Sequence, residues 1–96
     1  MFSDTNLQGN LVIPEGVTEI ESHAFNGTQI TSVTLPSSIR VIEDGAFANI
    51  RTLTTVNIPE SVGSNIFSGI GQFSSSSNVN LASQARLRTL GYTGGF

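Results

Sequence analysis

VTLPSSIRVIEDGAF, residues 33–47, decides the fold, because the chain repeats it. LVIPEGVTEIESHAF precedes it at 11–25, and VNIPESVGSNIF follows it at 56–67. Pro14 and Pro36 stand 22 residues apart, Pro36 and Pro59 stand 23 apart, and Ala24-Phe25 and Ala46-Phe47 are again 22 apart. Val17 and Ile20 match Ile39 and Ile42. Agreement at so many positions marks a repeat architecture. Each copy is one structural unit that cannot bury its own apolar side and must stack on its neighbours.

Within each copy the residues before the proline alternate apolar, variable, apolar. These are Leu11-Val12-Ile13, Val33-Thr34-Leu35, Val56-Asn57-Ile58 and, without a proline, Val79-Asn80-Leu81. A period of two predicts strands near 10–13, 33–35, 56–58 and 79–81, with the first and third residues facing the core. Proline ends the first three strands because it has no N–H to give to a ladder. Stacking then predicts the ladders Leu11/Val33/Val56/Val79 and Ile13/Leu35/Ile58/Leu81 on the strand side. On the back it predicts Ile20/Ile42 and a phenylalanine column Phe2/Phe25/Phe47/Phe67. Ile30, Leu53 and Phe73 are expected to close the turn. Val62 to Phe67 is five residues where Val17 to Phe25 is eight, so the third copy reads as shortened by three, with residues 74–77 (SSSS) as an insertion. After the last strand, Ser83 is the expected N-cap of a helix over 84–90, with Gly91 as its C′ glycine. So short a helix must dock to persist, with Leu87 and Leu90 over the last repeat. The predicted organisation is about three and a half repeats over 1–82, then a helix and glycine-rich tail over 83–96.

The pattern V-x-(I/L)-P-x-x-(V/I)-x-x-I-x-x-x-A-F, spread over residues 2–82, closely resembles the BspA-like (Treponema pallidum type) leucine-rich repeat. The resemblance implies a mostly β protein, a short right-handed parallel β-solenoid with a short C-terminal helix, used to bind other proteins. Many members carry Cys three residues after the phenylalanine; the corresponding positions here are Thr5, Thr28, Ile50 and Ile70.

Composition bounds the chemistry. With 96 residues the chain makes one domain, and it has no Cys for disulfides or thiolate sites. A net charge of −3, with Arg40, Arg51, Arg86 and Arg88 as the only Lys or Arg residues, argues against nucleic acid, which requires a basic stripe. No apolar run reaches the length of a membrane span, and MFSDTNLQGN lacks the features of a secretory signal. His23 is the single histidine and has no nucleophile motif beside it, so it reads as a turn residue rather than a catalytic base. Glu19, Glu21, Glu43 and Asp44 read as a solvated edge, since no calcium-loop pattern accompanies them. The glycines of 91–95 follow a helix, whereas phosphate loops precede one. No catalytic residue, metal or cofactor is expected, and the chain is expected not to be an enzyme.

The expected function is protein binding. Asn10, Val12, Ser32, Thr34, Thr55, Asn57, Asn78 and Asn80 should share one outward sheet face of short, uncharged side chains, the kind of surface repeat proteins use for docking. Phe2 and Leu7 should lie at an uncovered first turn, an edge open to pairing. Residues 1–60 carry −5 and residues 61–96 carry +2, from Arg86 and Arg88, so the two ends have opposite sign. With no export signal in view, these features point to a partner-dependent structural protein. It would be a small phage virion protein (capsid cement or decoration, or tail-associated), or a copy-on-copy assembly, in a virion or a cytoplasm. The alternative is a BspA-like cell-surface adhesion module.

Overall fold

The computed structural model describes residues 8–63 and 66–96. The chain forms β1 (Gln8–Val12), β2 (Glu19–Ile20), β3 (Gln29–Thr34), β4 (Val41–Ile42), β5 (Thr55–Asn57) and α1 (Leu81–Thr89). Every pairing is parallel. One sheet has the order β1-β3-β5 and the other pairs β2 with β4. Leu11 pairs Val33 and Val33 pairs Val56, and on the other side Ile20 pairs Ile42. Both sheets therefore join residues one repeat apart, as the sequence spacing predicts. Parallel strands so short hold only because both sheets bury one face in a shared core.

That core holds the predicted ladders for the first two repeats. Ile13, Ile20, Ala24, Phe25, Val33, Leu35, Ile42, Ala46 and Phe47 are all buried. Ile13 is buried as its ladder predicts. Phe2 and Leu7 lie outside the described residues. The Phe25 and Phe47 rings, carried on the turns, stack 5.2 Å apart and nearly parallel, close to the spacing of stacked parallel strands.

The third repeat corrects the sequence reading. Phe47 stacks on Phe73, at 5.3 Å, and not on Phe67. Phe67 instead bridges Ile42, at the register of Ile20. Backbone bonds fix the alignment: Phe25 N–H donates to Ala46 O, and Phe47 N–H donates to Gln72 O. Gln72-Phe73 therefore stands where Ala24-Phe25 and Ala46-Phe47 stood, so the third repeat is lengthened, not shortened. Residues 74–77 are no insertion, because Asn49 N–H donates to Ser74 O just as Gly27 N–H donates to Ala48 O. Two residues after the column phenylalanine the turn takes the left-handed backbone in each copy, where Gly27, Asn49 and Ser75 have φ of 75°, 59° and 60°. The misreading arose because Ile66-Phe67 looks more like Ala-Phe than Gln72-Phe73 does. What the position requires is a large ring next to a small or internally bonded side chain. The Gln72 amide meets that need by donating to the Ile42 and Ser68 carbonyls at 3.3 and 2.8 Å.

The same offset displaces the expected fourth strand. Thr54 N–H donates to Thr31 O and Asn80 N–H donates to Thr54 O, so Val79 stacks in the column of Ile30 and Leu53. No strand forms at 79–81. Leu81 opens α1 and is 79% exposed rather than buried in a ladder. The N-cap is Asn80, not Ser83, and its side-chain oxygen accepts the Ser83 N–H. The end of the helix is as expected: Leu87 and Leu90 are buried, and Gly91 takes φ 105°. Tyr92 N–H donates to Leu87 O and Gly91 N–H to Arg88 O, the bond pair of a Schellman ending.

Candidate protein-binding face

The outward side chains of β1, β3 and β5 are short, uncharged and tied to one another across strands. Ser32 Oγ donates to Asn10 Oδ1, and Asn57 Nδ2 donates to Thr34 Oγ1 at 3.4 Å. Asn80 Nδ2 reaches Thr55 Oγ1, also at 3.4 Å. Such ladders follow from stacking like on like at strand spacing, where side chains on paired residues lie within reach of each other. They hold Asn10, Ser32, Thr34, Thr55 and Asn57 in one array. Val12 adds an apolar spot to it, 59% exposed at the first strand.

Of the residues expected on this face, Asn78 does not join it. Its amide donates to Arg51 O, in the register of Thr52, because the fourth strand is displaced. Asn80 sits at the face's border as the helix cap. Beside it, Thr34, Val56, Asn57, Pro59 and Arg86 line an open groove of about 390 Å³.

Arg86 and Arg88 are engaged within the chain. The Arg86 guanidinium donates to Pro59 O at 3.1 Å. Arg88 lies over the rings of Tyr92 and Phe96, 5.4 and 5.0 Å from their centroids, and donates to the Tyr92 and Gly94 carbonyls. The glycine-rich tail is therefore a cover and not a free extension. Tyr92 is buried edge-on against Phe73, and Phe96 packs on both rings. The Tyr92 hydroxyl accepts the Phe73 N–H at 3.3 Å and donates to Gly95 O, and burial raises its pKa above the usual 10.0. Sequence reading missed this lid; the signal was an arginine four residues before a tyrosine, with a second aromatic after two glycines.

Several of the acidic residues serve structure. Asp44 Oδ1 accepts the Ile70 N–H at 2.8 Å. Glu15 accepts both the N–H and the hydroxyl of Ser37, at 2.9 and 2.6 Å, and these bonds hold its pKa below the ordinary 4.5. A hydrogen bond between Glu19 and Glu43 raises the pKa of Glu19 and lowers that of Glu43. Among the described residues, no three His, Asp or Glu side chains converge as a metal ion requires. His23 takes a left-handed turn with φ 60°, and Gly45 and Gly71 take the same turn in later repeats. Among the described residues, no helix is long and apolar enough to cross a membrane.

Comparison with curated proteins and with solved structures finds no match to this chain. The family model described as BspA type Leucine rich repeat region matches residues 1–91, in six copies. With both parallel sheets pairing residues one repeat apart, the chain belongs to the BspA-type leucine-rich repeat family.

Proposed function

We propose that the chain is a non-catalytic binding module that docks a protein on the outward face of β1, β3 and β5. Leucine-rich repeats build protein–protein interaction modules. The observation that carries the choice of face is the set of side-chain bonds joining Asn10 to Ser32 and Thr34 to Asn57 across strands, and Thr55 to the helix cap Asn80. Side chains already fixed by one another lose little freedom on binding, so a partner gains more from each contact. The reading includes a right-handed solenoid over 1–82, supported by the two parallel sheets, with residues 83–96 as its closing unit.

The finer form of the proposal is a subunit of a larger particle, a phage capsid decoration or tail-associated protein. What supports it is a face built of neutral polar groups beside a strand edge that no described residue pairs, together with an excess of acid in the first 60 residues. The test places a photo-crosslinking residue at Asn57 on the face and, as control, at Glu21. In cells that make the protein, Asn57 should give one discrete protein adduct and Glu21 none. Equal adducts at both positions, or none at Asn57, would refute the face. Density-gradient fractionation checks the finer form: the chain should travel with particles, and recovery with cell envelopes alone would replace it with the adhesion role.

A further inference from the structure

The sheet β1-β3-β5 has two edges, and the chain treats them differently. At the β5 edge, Asn80 N–H donates to Thr54 O at 2.8 Å and Val56 N–H donates to Ser83 Oγ at 3.0 Å. The start of α1 thus fills the place of the next strand, and the edge is sealed. At the β1 edge, among the described residues, no group pairs with the outer side of the strand. The direction of its free groups follows from the ladder. Ile13 N–H donates to Thr34 O, and Leu35 N–H donates to Asn57 O. Alternate residues of a parallel strand bond to opposite sides, so the N–H and C=O groups of Asn10 and Val12 point out from the sheet.

Natural edges are usually blunted by charge, by Lys in particular, or by proline within the strand. Gln8–Val12 has no charged residue and no proline, the whole chain has no Lys, and the register shift between Gly9 and Asn10 leaves the strand regular from Asn10 to Val12. We infer that β1 is a strand-addition site, which accepts an uncharged extended segment of another protein in parallel register, with V-x-I or V-x-L alternation stacking over Leu11 and Ile13. The ladder that stacks Val33 on Leu11 and Val56 on Val33 continues outward into this segment. A second copy cannot add head to tail, because the edge it would offer is the one Ser83 and Asn80 have closed. This site lies beside the proposed docking face and does not depend on it, since it uses backbone groups and not the outward side chains.

The probe is a synthetic LTTVNIP peptide, the sequence of residues 53–59, which already stacks in this way inside the chain. Amide hydrogen exchange is followed by NMR in the full chain. At peptide concentrations giving about 90% occupancy, the Asn10 and Val12 amides should slow by about tenfold, as mass action requires. Val12→Pro removes one outward N–H and none that faces β3, so it should abolish the effect and leave Leu11 and Ile13 exchange unchanged. Val12→Lys, which keeps the backbone and adds a charge at the edge, should do the same if the proline variant is poorly folded. Absence of protection at millimolar peptide, or undiminished protection in both variants, overturns the inference. Protection of Asn10 and Val12 in concentrated chain without peptide, with a dimer in sedimentation, would make a second copy the occupant and overturn it too. Thr34→Glu with Asn57→Glu should abolish face docking and leave peptide addition intact, which separates the two readings.

Discussion

Phe47→Ala tests the repeat register at its centre. The Phe47 ring is fully buried between Phe25 and Phe73, with centroid distances of 5.2 and 5.3 Å. Removing it withdraws a transfer contribution of about 1.5–3 kcal/mol. It also leaves two rings about 10 Å apart, a gap neither can close while its backbone is held in a parallel ladder. Each neighbour loses a stacked partner, an effect on the order of 0.5–1.5 kcal/mol per pair. The total falls at about 3–5 kcal/mol, the range of buried Phe→Ala changes. A domain of this size has about 5 kcal/mol to lose. Urea unfolding followed by far-UV circular dichroism should therefore show a variant at the margin of folding, with its thermal midpoint lowered by at least about 12 °C. Phe73→Ala should behave alike, while Phe67→Ala, half-buried and outside the column, should cost clearly less. A Phe47→Ala shift within about 2 °C, or Phe67→Ala costing more than Phe73→Ala, would show that the column is misplaced.

Ser83→Ala strips the acceptor from the buried Val56 N–H and should cost about 1–3 kcal/mol in urea titration, with faster exchange of the Val56 amide. Gly45→Ala should destabilise by at least about 1–2 kcal/mol, from φ 63° alone, and more because the new Cβ would lie 2.5 Å from His23 Nδ1. In the Gly45→Ala, His23→Ala double variant the clash part should be recovered and the φ part retained, a non-additivity a thermal melt can read. Ser75→Gly should be neutral or stabilising by up to about 1 kcal/mol, since φ 60° favours glycine. The lowered pKa of Glu15 gives it stability that is present above the ordinary 4.5 and lost as pH falls through the folded value; Glu15→Gln should flatten that acid limb of the melting curve. Glu19 is raised and has the opposite sign, its contribution lost as pH rises, so Glu19→Gln should increase stability near neutral pH.

The first two repeats were legible because their chemistry is redundant. Proline, Val17/Ile39, Ile20/Ile42 and Ala-Phe all gave the same 22-residue spacing, and a single substitution could not disturb the alignment. The third repeat lost that redundancy. It keeps its proline but replaces Ala-Phe by Gln72-Phe73, and it supplies a decoy in Ile66-Phe67. The decoy cannot be rejected by hydrophobicity, which fits both choices. Backbone requirements do not reject it either. Two residues after the column phenylalanine the turn needs φ > 0, which Gly27, Asn49 and Ser75 meet, while the decoy would put Gly69 there, an equally permissive residue. Only the partner strands decide, because Phe47 N–H finds Gln72 O and Ile42 finds Phe67.

The same three-residue offset explains what was legible at the site. Asn10, Ser32, Thr34, Thr55 and Asn57 fall on the face because the spacing of their strands comes from the redundant repeats. Asn78 leaves it and Asn80 becomes a cap because both depend on the third. The fate of the arginines was hidden for another reason. Arg86 and Arg88 count as +2 in any sequence ledger, yet their donors are directed to carbonyls of Pro59, Tyr92 and Gly94, which carry no formal charge. A cation that closes a lid on carbonyls and rings is satisfied locally, and its long-range attraction for the acidic end of another copy is screened within about 10 Å in salt. The opposite charges of the two halves therefore do not by themselves drive copies together. The sealed β5 edge removes the backbone route on that side as well, and the strand addition proposed at β1 would extend the ladder on the other.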